Sequence, residues 1–428
     1  MLVIMQICEN LKVKEKVYIE KLKNGLTVMI IPKKNIKKKY IIWGTHYGSN
    51  DSKFIVPGEK DVTEVPKGVA HFLEHKMFEQ ENGKNSLDVL SSLGVNANAY
   101  TTNTHTAYLY ECTDNFYEAL DEFMDYVQHP YFTDENVEKE KGIIGQEIMM
   151  YDDYPEWKVY LNTLEAMYHQ NPVKLDITGT IETISHIDKD ILYKCYNTFY
   201  NPSNMCLVVC GDFVPEDILK EFENRLIDKK ASGEIKRIYE DEDQTIVMPK
   251  IEAKMDVSIP LFSIGIKCIP ASQKEKVKTH IGIQILLNMI IGESSKLYQN
   301  LYKNGILLNM PSFDFEFTDE YAHIIISGTS RNPEILYNEF LKEIDEIKQN
   351  GIDEHDFGRV KRMIYGEYVK EYNNVSDVAR MFLNDFMNGI NSFDYLEEIT
   401  SIDLEYVKQL LEENFIKEKM VFSVVKND

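Results

Sequence analysis

His71, Phe72, Leu73, Glu74 and His75 bring two imidazoles and a carboxylate into five consecutive residues. At about 100° per residue on a helix, Glu74 lies roughly 300° and His75 roughly 400° round from His71. All three side chains then share about 100° of arc on one face. Two imidazoles one turn apart can hold a single divalent cation such as zinc, and a carboxylate between them can take a proton from water activated there. The order, H-x-x-E-H, is the reverse of the H-E-x-x-H zinc helix. Gly68 precedes the motif, Val69, Phe72, Leu73 and Phe78 supply apolar packing positions, and no proline interrupts it.

Two histidines leave a catalytic zinc short of one protein ligand, commonly a carboxylate. The helix expected after Asp134 offers Glu138, Glu140 and Glu147. Glu140 and Glu147, seven residues apart, project to nearly one face. A charged outer face accounts well for Glu138 and Lys139. It accounts less well for Glu147, which is flanked by Ile143, Ile144, Ile148 and Met149.

These groups need a scaffold. Residues 17–33 read as strand, Asn24-Gly25 turn and strand, and 40–47 as another strand. The motif helix follows from about Gly68. A helix at 86–93 stops at Gly94, and strands at 95–101 and 106–111 lead to helices at 115–127 and 134–151. Residues 157–200 read as mainly helical, Leu207-Val208-Val209-Cys210 as a buried strand, and Pro215 opens a helix to about 226. The polar stretch 227–250, with Ser232-Gly233 and the acidic run Glu240 to Asp243, reads as a linker. The second half repeats the order coarsely. A strand at 262–268 precedes helices at 276–291 and 296–303, strands at 312–318 and 322–329, helices at 333–349 and 353–373, and an apolar strand at 421–425. The shared order predicts an α+β fold of two duplicated domains, one at 1–226 and one at 251–428. Only the first carries H-x-x-E-H, so the duplicate is expected to be metal-free.

The 47 basic and 70 acidic residues give a formal charge of −23. That balance disfavours nucleic acid and anionic membranes as partners. An acidic wall attracts basic peptides, though a cytoplasmic surface accounts for the charge more simply. The six cysteines are scattered without a C-x-x-C pair, so reduced thiols are expected, with Cys206 and Cys210 in the core. The apolar opening, residues 1–7, lacks a basic start and a small-residue cleavage site, so no signal peptide is expected. No run of about 18 apolar residues predicts a membrane span.

The stretch Gly68-Val69-Ala70-His71-Phe72-Leu73-Glu74-His75-Lys76-Met77-Phe78 resembles the G-x-A-H-x-x-E-H-x-x-F core of the pitrilysin/insulinase family of zinc peptidases, which includes mitochondrial processing peptidase. Glu140 and Glu147 match the family's downstream glutamates, Asn98-Ala99-Tyr100-Thr101 is similar to its N-A-x-T strand, and Asn201 to Met205 with Gly211-Asp212 resemble the end of its first domain. The resemblance covers nearly the whole chain. It implies one zinc per chain on His71, His75 and Glu147, with Glu74 as general base. It makes Glu140 a second catalytic carboxylate that orients a histidine or the water, and Asn98, Ala99 and Tyr100 a strand that pairs with extended peptide. Each domain would be a mainly antiparallel sheet packed with helices, and the chain half of a clamshell.

The family also carries an Arg and a Tyr in its metal-free domain that stabilise the oxyanion. In the matching segment here, Leu301 to Leu308, Tyr302 and Leu308 stand at or near those places. Either Tyr302 or Lys303 serves locally, or a second chain supplies the pair, as a zinc-less paralogue or another copy. The implied activity is zinc-dependent endopeptidase action on peptides or unfolded polypeptides in an enclosed chamber. The alternatives are a non-catalytic peptide-binding or assembly subunit with a structural metal, and a subunit processing one dedicated precursor peptide.

Overall fold

Val28-Met29-Ile30-Ile31 and Cys206-Leu207-Val208-Val209-Cys210 are unbroken apolar runs, the pattern of strands covered on both faces. In the computed structural model, which describes residues 5–427, they pair in parallel, Met29 beside Val208, inside a seven-stranded sheet. Residues 1–4 of the apolar opening lie outside the described residues. The strand order is Gln6–Asn10, Glu15–Lys21, Thr27–Pro32, Met205–Gly211, Lys39–Thr45, Thr106–Cys112, Asn96–Thr101, and every other neighbouring pair is antiparallel. Trp43 faces one side, where its ring packs near Phe123 in the main core. Its neighbour Gly44 faces the other, where helix Val375–Met387 lies across Lys39–Thr45 and Met205–Gly211. A Cβ on Gly44 would come within 2.8 Å of Leu383, so the bare glycine lets this helix approach the sheet.

A second, five-stranded sheet runs Lys250–Lys254, Met420–Lys426, Leu261–Lys267, Ala322–Thr329, Ser312–Phe317, again with one parallel pair at its start. Helix Pro155–Met167 crosses Leu261–Lys267 and Met420–Lys426, and a Cβ on Gly265 would meet Thr163 at 2.4 Å. In spatial order both sheets place their first strand, last strand, second, fourth and third, apart from the hairpin that extends the first sheet at its edge. Each therefore has the same topology and the same glycine-floored seat for a helix. The fold is α+β.

The two compact units interleave along the chain. The first comprises residues through Ile148, Asp176–Ile238 and Lys370–Phe393; the second, Met149–Leu175, Tyr239–Val369 and Asp394 onward. Each sheet takes its covering helix from the other half of the sequence. The chain passes from the first unit to the second between Ile238 and Tyr239, within the stretch that reads as a linker, but both ends of that stretch are pinned. Lys236–Arg237 pairs with Lys53–Ile55, and Arg237 forms a 3.0 Å ion pair with buried Asp51. Glu242 accepts the backbone N–H groups of His169, Gln170 and Asn171 and pairs with Lys267. Cys206 and Cys210 are buried in the core, and all six cysteines are free thiols. Among the described residues no helix is long and apolar enough to cross a membrane.

The strand Ser312–Phe317 carries a half-buried carboxylate, Glu316, which accepts a hydrogen bond from Tyr321 Oη. Burial, reinforced by neighbouring Asp314, pushes its pKa from 4.5 up to about 7. A raised folded-state pKa means the folded protein holds the proton longer than the unfolded chain does. Its contribution to stability is therefore complete below pH 4.5 and is lost as pH rises through about 7. Glu316→Gln should flatten this part of the stability profile, measured as denaturation midpoints between pH 4 and 8; an unchanged slope would remove Glu316 as its source.

Candidate metal centre

Helix Val69–Lys76 starts from Gly68, whose φ of 91° is a conformation that favours glycine. A Cβ there would lie 2.5 Å from the Thr178 carbonyl oxygen, so the helix start is clamped against the segment around Gly179. Phe72 and Leu73 are fully buried, and every residue of the helix but His75 is buried. A helix held by apolar residues this tightly fixes the directions of its polar ones.

Helix Asp134–Asp152 brings the third group. Ile144 and Ile148 enter the same core, and Glu147 between them faces the two histidines. His71 Nε2 lies 3.7 Å from Glu147 Oε1, and His75 Nε2 lies 3.5 Å from Glu147 Oε2. The two rings are tilted by 57° with centroids 4.6 Å apart. Glu140, about two turns back on nearly the same face, places Oε1 3.0 Å from His75 Nδ1. Glu74 is buried and accepts a 2.6 Å hydrogen bond from Thr101 Oγ1 on the edge strand Asn96–Thr101.

The separations test for a cation. Hydrogen-bonded nitrogen and oxygen lie about 2.7–3.2 Å apart. Two ligand atoms each about 2.1 Å from one tetrahedral zinc lie about 3.4 Å apart. The 3.5 and 3.7 Å separations are too long for good hydrogen bonds and close to that spacing. Glu147 Oε2 is also buried without a hydrogen-bond partner. Two nitrogens and one carboxylate oxygen make a donor set that fits zinc. A second acidic grouping, Asp353, His355 and Asp356, is largely exposed and has no comparable buried orphan.

The protein's own groups set the protonation tendencies. Burial, helped by the neighbouring His75, drives the His71 pKa down to about 3, so its ring is neutral. Burial also opposes charge on His75, but the Glu140 hydrogen bond and the nearby carboxylates outweigh it and hold its pKa above the usual histidine value. Glu74 is raised by burial, against the pull of Thr101. Glu147 is raised by burial as well. Glu140 is lowered, because His75 and Lys76 overcome its desolvation.

The remaining sequence candidates lie on the edge strand. Among the described residues Asn96–Thr101 pairs only with Thr106–Cys112, which leaves its outer edge without a paired strand. The Ala99 N–H is held by the Asn98 side chain. Ala97 and Ala99 pack toward the core and Thr101 toward Glu74. Strand alternation sends Tyr100 to the opposite face, where its ring lies 5.8 Å from the Arg380 guanidinium and 5.6 Å from the His105 ring. Tyr100 is thus turned away from the histidines. A cavity of about 400 Å³ opens beside the site, bounded by Glu74, His75, Phe78, Asn98, Ala99 and Ile143. Tyr302, in the second unit, is exposed and stacks on Tyr298. The sequence places Thr101 only in the N-A-x-T strand, without its bond to Glu74, and gives no sign of Arg380 or the fully buried Lys76. Period-two alternation would have singled out Thr101, since it shares a face with Ala99.

Residues 59–181 match the family described as Insulinase (Peptidase family M16), and residues 186–364 match the Peptidase M16 inactive domain. A Bacillus subtilis protein named uncharacterized zinc protease YmfH is 37% identical over 417 residues, 96% of each chain. The mitochondrial-processing peptidase subunit beta of Caenorhabditis elegans is 29% identical over 189 residues, 43% of this chain and 40% of that one. The crystal structure of an M16-like peptidase from Alicyclobacillus acidocaldarius is similar with a TM-score of 0.92 at 31% identity, over 97% of this chain and 99% of that chain.

Proposed function

Because the chain belongs to the insulinase family of peptidases, M16, we propose that it is a zinc-dependent endopeptidase acting on extended peptides or unfolded polypeptides. The observation that carries this reading is the pair of 3.5 and 3.7 Å separations from two imidazole Nε2 atoms to one carboxylate, with Glu74 buried on the same helix. His71, His75 and Glu147 would hold the ion. Zinc bound there supplies Lewis acidity, which lowers the pKa of water to about 7 and polarises a carbonyl.

The chain's residues do the rest. The free edge of Asn96–Thr101 takes the substrate backbone as an added strand, with Asn98 swinging off the Ala99 N–H to admit it. Tyr100 serves through its backbone, since its side chain points to the other face. The cavity beside Glu74 receives a side chain flanking the scissile bond. Glu74 accepts the proton of the attacking water as the new C–O bond forms. It then delivers that proton to the amide nitrogen as the C–N bond breaks. Thr101 fixes the carboxylate that moves the proton. Glu140 holds the His75 ring.

Residues 1–226 are read as the catalytic domain and 251–428 as its metal-free duplicate, joined through 227–250. With Tyr302 and Leu308 where an Arg and a Tyr would stabilise the oxyanion, a second chain is proposed to complete the site, as a zinc-less paralogue or another copy. The name of the nematode relative, a subunit, supports that reading. The acidic surface supports a cytoplasmic setting.

Zinc-loaded protein, alone and with any zinc-less paralogue from the same organism, should cleave peptides in H₂¹⁸O and leave one ¹⁸O in each new carboxylate. Chelation should stop cleavage and zinc should restore it, followed by mass spectrometry. Protein that binds no zinc, or cleavage indifferent to chelation, would overturn the assignment.

A further inference from the structure

Lys76 is a lysine with no exposed surface. Charged side chains are almost never fully buried unless paired. It follows His75 on the metal-motif helix, and its Nζ pairs with Glu79 and lies 3.5 Å from Glu140 Oε2. The other oxygen of that carboxylate, Glu140 Oε1, is the one 3.0 Å from His75 Nδ1. Each oxygen of Glu140 therefore has its own partner, a ring nitrogen on one side and an ammonium on the other.

We propose that Lys76 is a positioning residue of the metal centre: it pins Glu140 so that Glu140 fixes the His75 ring with Nδ1 carrying the hydrogen and Nε2 free toward Glu147. This rests on the reading that His75 is a zinc ligand. An ionised carboxylate only accepts, so the ring nitrogen facing it must donate. That leaves the lone pair on Nε2, the atom 3.5 Å from Glu147. A carboxylate held at one oxygen alone can pivot about that contact, and the ring it orients pivots with it. The ammonium removes that freedom. It also keeps Glu79 and Glu140 from facing each other as two buried or half-buried carboxylates without a cation between them.

The test needs no substrate. Zinc affinity is measured on the full chain by competition with a chromophoric chelator, for wild type, Lys76→Met, Glu140→Gln and the double variant. The His75 tautomer is read from imidazole ¹⁵N shifts in metal-free protein, at a pH alkaline enough for the ring to be neutral. Loss of a partner that orients a ligand costs about 10–100-fold in affinity, and Lys76→Met should fall at about tenfold. Acting through Glu140, it should add nothing in the double variant beyond Glu140→Gln alone. The His75 signal should shift from one tautomer to a mixture. Affinity within twofold of wild type, losses that multiply in the double variant, or an unchanged tautomer would each overturn the proposal. Should Lys76→Met fail to fold, Lys76→Gln carries the same readouts. Wild-type protein that binds zinc yet cleaves nothing sinks the peptidase reading and leaves this one standing. Wild-type protein that binds none overturns this proposal together with the zinc-ligand reading it rests on.

Discussion

Glu74→Gln should lower kcat for peptide hydrolysis by about 10²–10⁴-fold while zinc content stays at wild-type level. The substitution keeps shape and keeps an acceptor for the Thr101 hydroxyl, so the helix and its neighbours have no reason to move. It removes only the ability to take and return a proton. Glu74 is not placed to bind the cation itself: the grouped ligand atoms are those of His71, His75 and Glu147. Metal content and activity should therefore separate. Kinetics on a fluorogenic peptide, with zinc measured by elemental analysis, provides the comparison. Hydrolysis undiminished in the variant would remove Glu74 as the general base; wild-type protein that binds zinc yet hydrolyses nothing would leave the reading of a peptide-binding or assembly subunit with a structural metal.

Glu147→Gln should do the opposite and take the metal away. An amide oxygen carries no charge to offset the cation, and zinc affinity should drop by more than about 100-fold, or about 2.7 kcal/mol. The fold should survive, because Ile144 and Ile148 on the same helix are buried in the core independently of the carboxylate. At zinc about 1,000-fold above its dissociation constant, wild type gains about 4 kcal/mol of stability; a site 100-fold weaker gains only about 1.4 kcal/mol. Thermal melts with and without zinc would show a large shift for wild type and a small one for the variant. Glu138→Gln, an exposed neighbour on the same helix, should melt like wild type. Equal zinc shifts in Glu147→Gln and wild type would remove Glu147 from the site.

The metal-motif helix is legible because its chemistry is written at a single period: residues 71, 74 and 75 share a face whatever surrounds them. Glu147 was legible from apolar flanks, which now prove to include core residues Ile144 and Ile148. The duplicated sheets show in the order of elements, since that order is local. What pairs across distance was not readable. Arg237 looked like linker because its partner, Asp51, is almost two hundred residues away. Lys76 carries no signal of its burial, because nothing in a lysine's neighbours says that Glu79 and Glu140 converge on it. The helix Val375–Met387 went unread although Val375, Val378, Ala379, Phe382 and Leu383 carry helical spacing and are buried. Strands as short as Lys53–Ile55 and Thr63–Glu64 leave no periodic trace at all.

The helices seated on Gly44 and Gly265 bear on the order of events at the ribosome. Residues 375–387 are synthesised after both strands they roof, more than 300 residues after Lys39–Thr45. One face of the first sheet must therefore wait, uncovered, until that helix is made. Cutting the gene at the polar stretch would separate each sheet from its roof, so two fragments expressed apart should stay sticky until mixed.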